Sequence, residues 1–98
     1  MEAKTTAEFD NWLDDLNPKT RALVDDRLDR LRHFDHFGDS HDLDDGLFEL
    51  RWKSGMRVYF GYVAGDDGGA VLLLLGGDKH GQNRDIRKAR SILAREAP

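Results

Sequence analysis

Residues 47–62 read Leu-Phe-Glu-Leu-Arg-Trp-Lys-Ser-Gly-Met-Arg-Val-Tyr-Phe-Gly-Tyr, two alternating arms around a Lys-Ser-Gly break, and few folds accommodate that pattern. Strand side chains alternate with period two. Phe48, Leu50 and Trp52 therefore point one way and Leu47, Glu49, Arg51 and Lys53 the other. In the second arm Met56, Val58, Phe60 and Tyr62 oppose Arg57, Tyr59 and Gly61. A two-residue loop at Ser54-Gly55 pairs Trp52 with Arg57 and puts core and charge on one face, which a buried face forbids. A three-residue loop, with Gly55 in the left-handed region, instead pairs Trp52 with Met56, Leu50 with Val58 and Phe48 with Phe60.

That register sets Arg51 opposite Arg57 and Glu49 opposite Tyr59, and like charges directly opposite weaken a strand pair. Either Glu49 or solvent relieves the repulsion, or the two guanidiniums form an anion site suited to bidentate grip of phosphate.

A chain of 98 residues has room for one modest core, so a single domain over residues 1–98 is expected. No apolar run reaches the length of a membrane span, and the start lacks the regions of a signal peptide. Without cysteine there is no disulfide framework and no thiolate chemistry, so a cytoplasmic location is the default. The net charge of −4 argues against a general nucleic-acid binder of the strongly basic kind. Its distribution is uneven: residues 1–49 carry 14 acidic against 6 basic side chains, residues 50–98 carry 5 against 9. A polyanion can still be held by the second half.

Glu2 to Thr6 is a thin candidate edge strand. Thr6 reads as an N-cap for a helix over 7–16, with Phe9, Trp12, Leu13 and Leu16 as its apolar stripe. Asn17-Pro18 starts a second helix, with Val24, Leu28, Leu31 and Phe34 inward. From His33 to Gly46 the periodicity stops. His33, His36 and His41 are ordinary metal-ligand types, but their spacing matches no standard signature. The run reads as a solvated loop anchored by Phe34, Phe37 and Leu43. Ala70 to Leu75, apolar on both faces, reads as a central strand covered at least in part on each side. Residues 83–95 form a third helix with Arg84, Arg87, Lys88 and Arg95 mostly outward. The expected fold is α+β, with two N-terminal helices and a C-terminal helix on one face of a small, mostly antiparallel sheet and Arg51, Arg57 and Tyr59 on the other face.

Several blocks carry a family pattern. Phe9-x-x-Trp12-Leu13, Arg27-Leu-x-Arg30-Leu31, Gly38-Asp39, Glu49-Leu50-Arg51, Arg57-Val-Tyr-Phe60 and Gly76-Gly-Asp-Lys79-x-x-Gln82-x-x-Asp85-Ile86 resemble the addiction-module killer proteins. These are a HigB-like branch of the RelE/ParE superfamily of type II toxins. The resemblance implies a compact toxin of the microbial ribonuclease type, neutralised by a cognate antitoxin from the adjacent gene. Members similar to RelE cut messenger RNA on the ribosome, and members similar to ParE inhibit DNA gyrase. A diverged, inactive toxin that survives as an antitoxin-binding module is the third possibility. In the cleaving members basic residues on the concave sheet face do the chemistry, and here Arg51 and Arg57 match that face with Lys79 at its border. Where the family often has a lysine after Gly-Asp, this chain has His41.

Ribosome-dependent cleavage of this kind implies no metal and no cofactor: the ribose 2′-hydroxyl attacks the adjacent phosphate. The protein removes one proton, supplies another and stabilises the added negative charge, the last a task for arginines. Guanidiniums keep their protons, so acid and base come from His41, His80, Tyr59 or Lys79. The expected catalytic set is Arg51, Arg57, Lys79 and His41, with Lys53, Tyr59, His80 and Arg84 binding RNA. The expected partners are the antitoxin and messenger RNA on the ribosome, with no membrane.

Overall fold

The apolar alternation of the hairpin, the caps and the continuous leucine run each become an element in the computed structural model, which describes residues 1–96. Strand β1 (Ala3–Thr5) leads into helix α1 (Ala7–Asp14) and helix α2 (Pro18–Phe34). Strands β2 (Ser40–Asp42), β3 (Phe48–Arg51), β4 (Met56–Gly65) and β5 (Gly68–Asp78) follow. A 3-10 turn (Lys79–Gly81) then opens helix α3 (Gln82–Glu96). The sheet order is β1-β5-β4-β3-β2, with β1 parallel to β5 and the other pairs antiparallel.

The hairpin register is the expected one: Phe48 opposes Phe60, Leu50 opposes Val58 and Arg51 opposes Arg57. Trp52 N donates to Met56 O at 3.0 Å across the Lys53-Ser54-Gly55 loop, and Gly55 sits at φ 101°. The helix caps also hold. Thr6 Oγ1 accepts from Phe9 N at 3.0 Å, and Asn17 Oδ1 accepts from Thr20 N at 2.9 Å.

Two expectations for residues 33–46 fail. Ser40–Asp42 is a strand paired with β3, not loop; its three polar residues carry no alternation that a sequence reading detects. Phe34 is 77 % exposed, so the 33–46 segment is anchored instead by Phe37, whose ring lies tilted 5.5 Å from that of Phe60, and by half-buried Leu43.

The helices also do not share one face. Phe9, Val24, Leu28 and Leu31 of α1 and α2 pack on Leu50, Val58, Phe60, Val71 and Leu73. Ala89 and Ile92 of α3 pack on the opposite face, against Leu47, Tyr59, Leu72, Leu74 and Leu75. Leu74 and Leu75 share a face because β5 carries a bulge there: Tyr59 pairs with Leu75 while its neighbour Phe60 pairs with Leu73. The bulged Leu74 carbonyl accepts a hydrogen bond from Thr6 Oγ1 at 2.7 Å, so the hydroxyl that caps α1 also satisfies the irregular strand.

Past the bulge the strand presents two glycines to the two layers. A side chain at Gly76 would meet Trp12 of α1 at 2.1 Å, and one at Gly77 would meet Asp85 Oδ2 of α3 at 2.1 Å. Bare backbone at these positions lets both helices close on the end of β5 where the basic residues gather.

Candidate functional site

The register draws His41, Glu49, Tyr59 and Leu75 into one row across β2 to β5, and Arg51, Arg57 and Gly77 into the next. Both rows face α3. The polar face is therefore roofed over Tyr59 and open beyond it, which corrects the expectation of an uncovered sheet surface. Leu47 and Tyr59, apolar bodies within the charged set of the hairpin, were the sequence signal for that cover.

Glu49 lies at the centre and is 0 % exposed. An unpaired carboxylate so buried costs several kcal/mol, so its partners decide the local structure. Arg51 Nε forms a close ion pair with Glu49 Oε1. Arg57 Nε stands 3.9 Å from Oε2, and Gln82 Nε2 at the start of α3 donates to Oε2 at 3.2 Å. One carboxylate thus bridges the two facing arginines and answers the like-charge problem posed by the register. The side chain of Arg51 keeps 34 % exposure and that of Arg57 13 %, so Arg51 is the more accessible of the two.

Two buried donors in the same rows have no hydrogen-bond partner among the described residues: Arg57 Nε and the Tyr59 hydroxyl. Burial first, and then the Glu49 and Asp85 carboxylates, push the Tyr59 hydroxyl up to about 12, with Arg57 and Arg51 opposing. Tyr59 is 0 % exposed and is not placed to touch RNA or to serve as a base near neutrality.

The backbone of Arg51 is fixed from both sides. Its N–H donates to Asp39 O at 2.9 Å, and its carbonyl accepts from Arg27 Nη2 at 2.6 Å. Arg27 also lies over the Trp52 ring, 4.3 Å from the centroid, and burial pushes its pKa down. Arg27 is a structural clamp between α2 and the end of β3, and the remaining basic residues are arranged around that end.

Lys79, His80, Arg84 and Arg87 line a depression of about 370 Å³ with Gln82 at its inner edge. Asp78 opens the 3-10 turn by accepting from His80 N at 2.8 Å. The stem of Lys79 runs beside the hairpin loop, where a side chain at Gly55 would lie 3.2 Å from Lys79 Cδ, and exposed Lys53 occupies the same loop. Arg51, Arg57, Lys53, Lys79, His80 and Arg84 therefore meet at one end of the sheet. His41 belongs to the Glu49 row but lies on the edge strand, its Nε2 2.9 Å from Asp39 Oδ1. Among the described residues no group of three or more His, Cys, Asp or Glu is placed to hold a metal ion, so His33, His36 and His41 do not converge.

Sequence reasoning did not assign Glu49, Gln82 or Asp85 to the site. Asp85 is buried over Gly77, the register partner of Arg57, and Gln82 reaches Glu49 one turn earlier on α3. All three stand in the blocks that carry the family pattern, but their convergence depends on which face α3 covers.

Three helices on a five-stranded, mostly antiparallel sheet is a fold shared with solved toxins. A YoeB/ParE toxin from Agrobacterium tumefaciens superposes with a TM-score of 0.62 at 9 % identity, covering 80 % of this chain and 98 % of that one. The toxin–antitoxin complex RelBE2 from Mycobacterium tuberculosis contains a chain that superposes with a TM-score of 0.56 at 20 % identity, covering 79 % of this chain and 95 % of that one. Residues 11–96 match the family of phage derived protein Gp49-like (DUF891), and the chain belongs to that family. An uncharacterized protein of Haemophilus influenzae is 42 % identical over 97 residues, covering 98 % of this chain and 95 % of the relative.

Proposed function

We propose that this chain is the toxin of a type II toxin–antitoxin pair and a metal-independent endoribonuclease that cleaves messenger RNA on the ribosome, in the cytoplasm. The observation that carries this reading is the Arg51/Arg57 pair, two guanidiniums held side by side by one buried carboxylate at a basic, half-open sheet end. The negative charge added as the 2′-hydroxyl attacks phosphorus is met by the arginines. The products are a 2′,3′-cyclic phosphate and a freed 5′-hydroxyl. Proton transfer falls to His80 or Lys79 beside the depression, or to His41 at the sheet edge, since Tyr59 holds its proton up to about 12. Lys53 and Arg84 flank the arginines and suit the phosphates on either side of the cut.

The partner in this reading is an antitoxin that lays acidic or apolar residues over the Arg51/Arg57 end or α3, and the RelBE2 complex among the neighbours supports such a partner. No helix among the described residues is long and apolar enough to cross a membrane. Induced expression followed by sequencing of RNA ends tests the reading. Cleavage within codons of translated messages is the expected result. Gyrase-linked DNA breaks without RNA cleavage would make the chain a ParE-like inhibitor, and no growth effect would make it an antitoxin-binding module.

A further inference from the structure

Glu49 is too buried to touch a substrate in the observed arrangement, yet its contacts are unequal. Arg51 Nε is held closely and Gln82 Nε2 at 3.2 Å, whereas Arg57 Nε, at 3.9 Å, is left without a hydrogen bond among the described residues, as is the hydroxyl of Tyr59, the register partner of Glu49. Buried donors without acceptors are uncommon in folded proteins; one of these lies 3.9 Å from Glu49 Oε2 and the other belongs to its register partner, so a second position of the carboxylate would supply an acceptor. The 3.9 Å separation needs a shift of only about 1 Å to become an ordinary N–H···O bond. Glu49 is held away from that position by Arg51 on Oε1 and Gln82 on Oε2, and Arg51 is the more exposed of the two arginines and the one an incoming phosphate reaches first.

We propose that Glu49 is an internal counter-ion that Arg51 exchanges for substrate phosphate, and that the released carboxylate moves to Arg57 Nε and the Tyr59 hydroxyl. The exchange has two effects. At rest, Arg51 Nε is occupied by its own chain, so an anion takes the Nε side of the guanidinium fork only by displacing a carboxylate. Once bound, the anion leaves Arg57 fixed by Glu49 through Nε, with Nη1 already on Met56 O at 3.3 Å, so the second arginine is immobilised when the first is engaged. Tyr59 acts as a positioning residue: it touches no substrate and gives the released carboxylate a donor. This inference rests on the reading of the Arg51/Arg57 end as an anion site, and not on which nucleic acid is cut.

The test is a titration of the isotope-labelled full-length protein with inorganic phosphate at constant ionic strength, following the arginine Nε–H resonances by NMR. Both Arg51 and Arg57 Nε signals are expected to move together, the Arg57 proton downfield as it gains an acceptor. Glu49→Gln removes the competitor and should tighten phosphate binding, while Tyr59→Phe should weaken it, each by about threefold to tenfold, the usual weight of one hydrogen bond. A carboxylate that only scaffolds the arginines predicts the opposite sign for Glu49→Gln. Movement of the Arg51 signal with Arg57 unchanged overturns the exchange alone. No movement of either overturns the anion site beneath it. Should Glu49→Gln not fold, the wild-type titration and Tyr59→Phe decide the matter, because the first needs no substitution and the second removes only one buried oxygen.

Discussion

Tyr59→Phe should make this protein more stable. The ring is 0 % exposed and its hydroxyl has no hydrogen-bond partner among the described residues, so the folded state bears the desolvation of a polar group without a compensating bond. Such a group costs about 1–3 kcal/mol, and phenylalanine fills the same space without it, so unfolding free energy at pH 7 should rise by about 1 kcal/mol. Urea denaturation followed by fluorescence, with an unchanged m-value, measures this directly. An alkaline series gives a second reading. The Tyr59 hydroxyl is raised to about 12 from an ordinary 10, so the folded chain holds a proton that the unfolded chain has released. Stability from this group is therefore full below pH 10 and is lost as pH climbs through 12, a fall worth about 2–3 kcal/mol. The phenylalanine variant should lack that fall. A variant less stable by 1 kcal/mol or more at pH 7 would show that the hydroxyl has a partner, and one with the same alkaline loss as wild type would show that the loss does not come from Tyr59; either result refutes the account of the site built on its isolation.

Arg51→Ala and Arg57→Ala should each relieve growth arrest by removing about 2–4 kcal/mol of transition-state stabilisation, whereas the double variant should also unfold early, because buried Glu49 keeps only Gln82; growth curves and thermal melts separate the two effects. Gly77→Ala drives a methyl into Asp85, so the first turn of α3 must lift and carry Gln82 away from Glu49, costing about 1–3 kcal/mol in a denaturant melt together with toxicity. Glu8 accepts from Arg95 Nη1 at 2.8 Å and Nη2 at 3.1 Å, which holds its carboxyl down at about 2. That pair stabilises the fold above about pH 4.5 and is lost as pH falls toward 2, so Glu8→Gln should lower the melting temperature slightly at pH 6 and not at pH 2.

Much of this was legible in the sequence because it rests on parity. Alternation in residues 47–62 permits one register that buries Phe48, Leu50, Val58 and Phe60 together, and that register alone sets Arg51 against Arg57. The caps at Thr6 and Asn17 and the apolar run at Ala70 to Leu75 are equally local signals, and each lies where expected. What stayed hidden depends on comparing elements. Ser40, His41 and Asp42 form a strand only because β3 offers them a free edge. The bulge at Leu74 cannot be seen within a run of four leucines, since any of them can be the extra residue. Without it, strict alternation sends Leu75 and Gly77 to the wrong helix layer. Glu49 was legible as a counter-charge to the two arginines, but its burial and its bond to Gln82 depend on the cover of α3.

The double use of Thr6 extends to relatives of this chain. Its hydroxyl accepts from Phe9 N and donates to the carbonyl of the bulged Leu74, and few side chains do both from one atom. A homologue that retains the extra residue in its last strand is bound to keep threonine or serine at this position. One with a strand shorter by that residue keeps every other strand pairing and needs only an acceptor for its first helix, so aspartate becomes admissible there. Strand length and the chemistry of a residue some seventy positions upstream should therefore be inherited as a pair, and an alignment of the family in which aspartate at that position accompanies the longer strand would show the two to be independent.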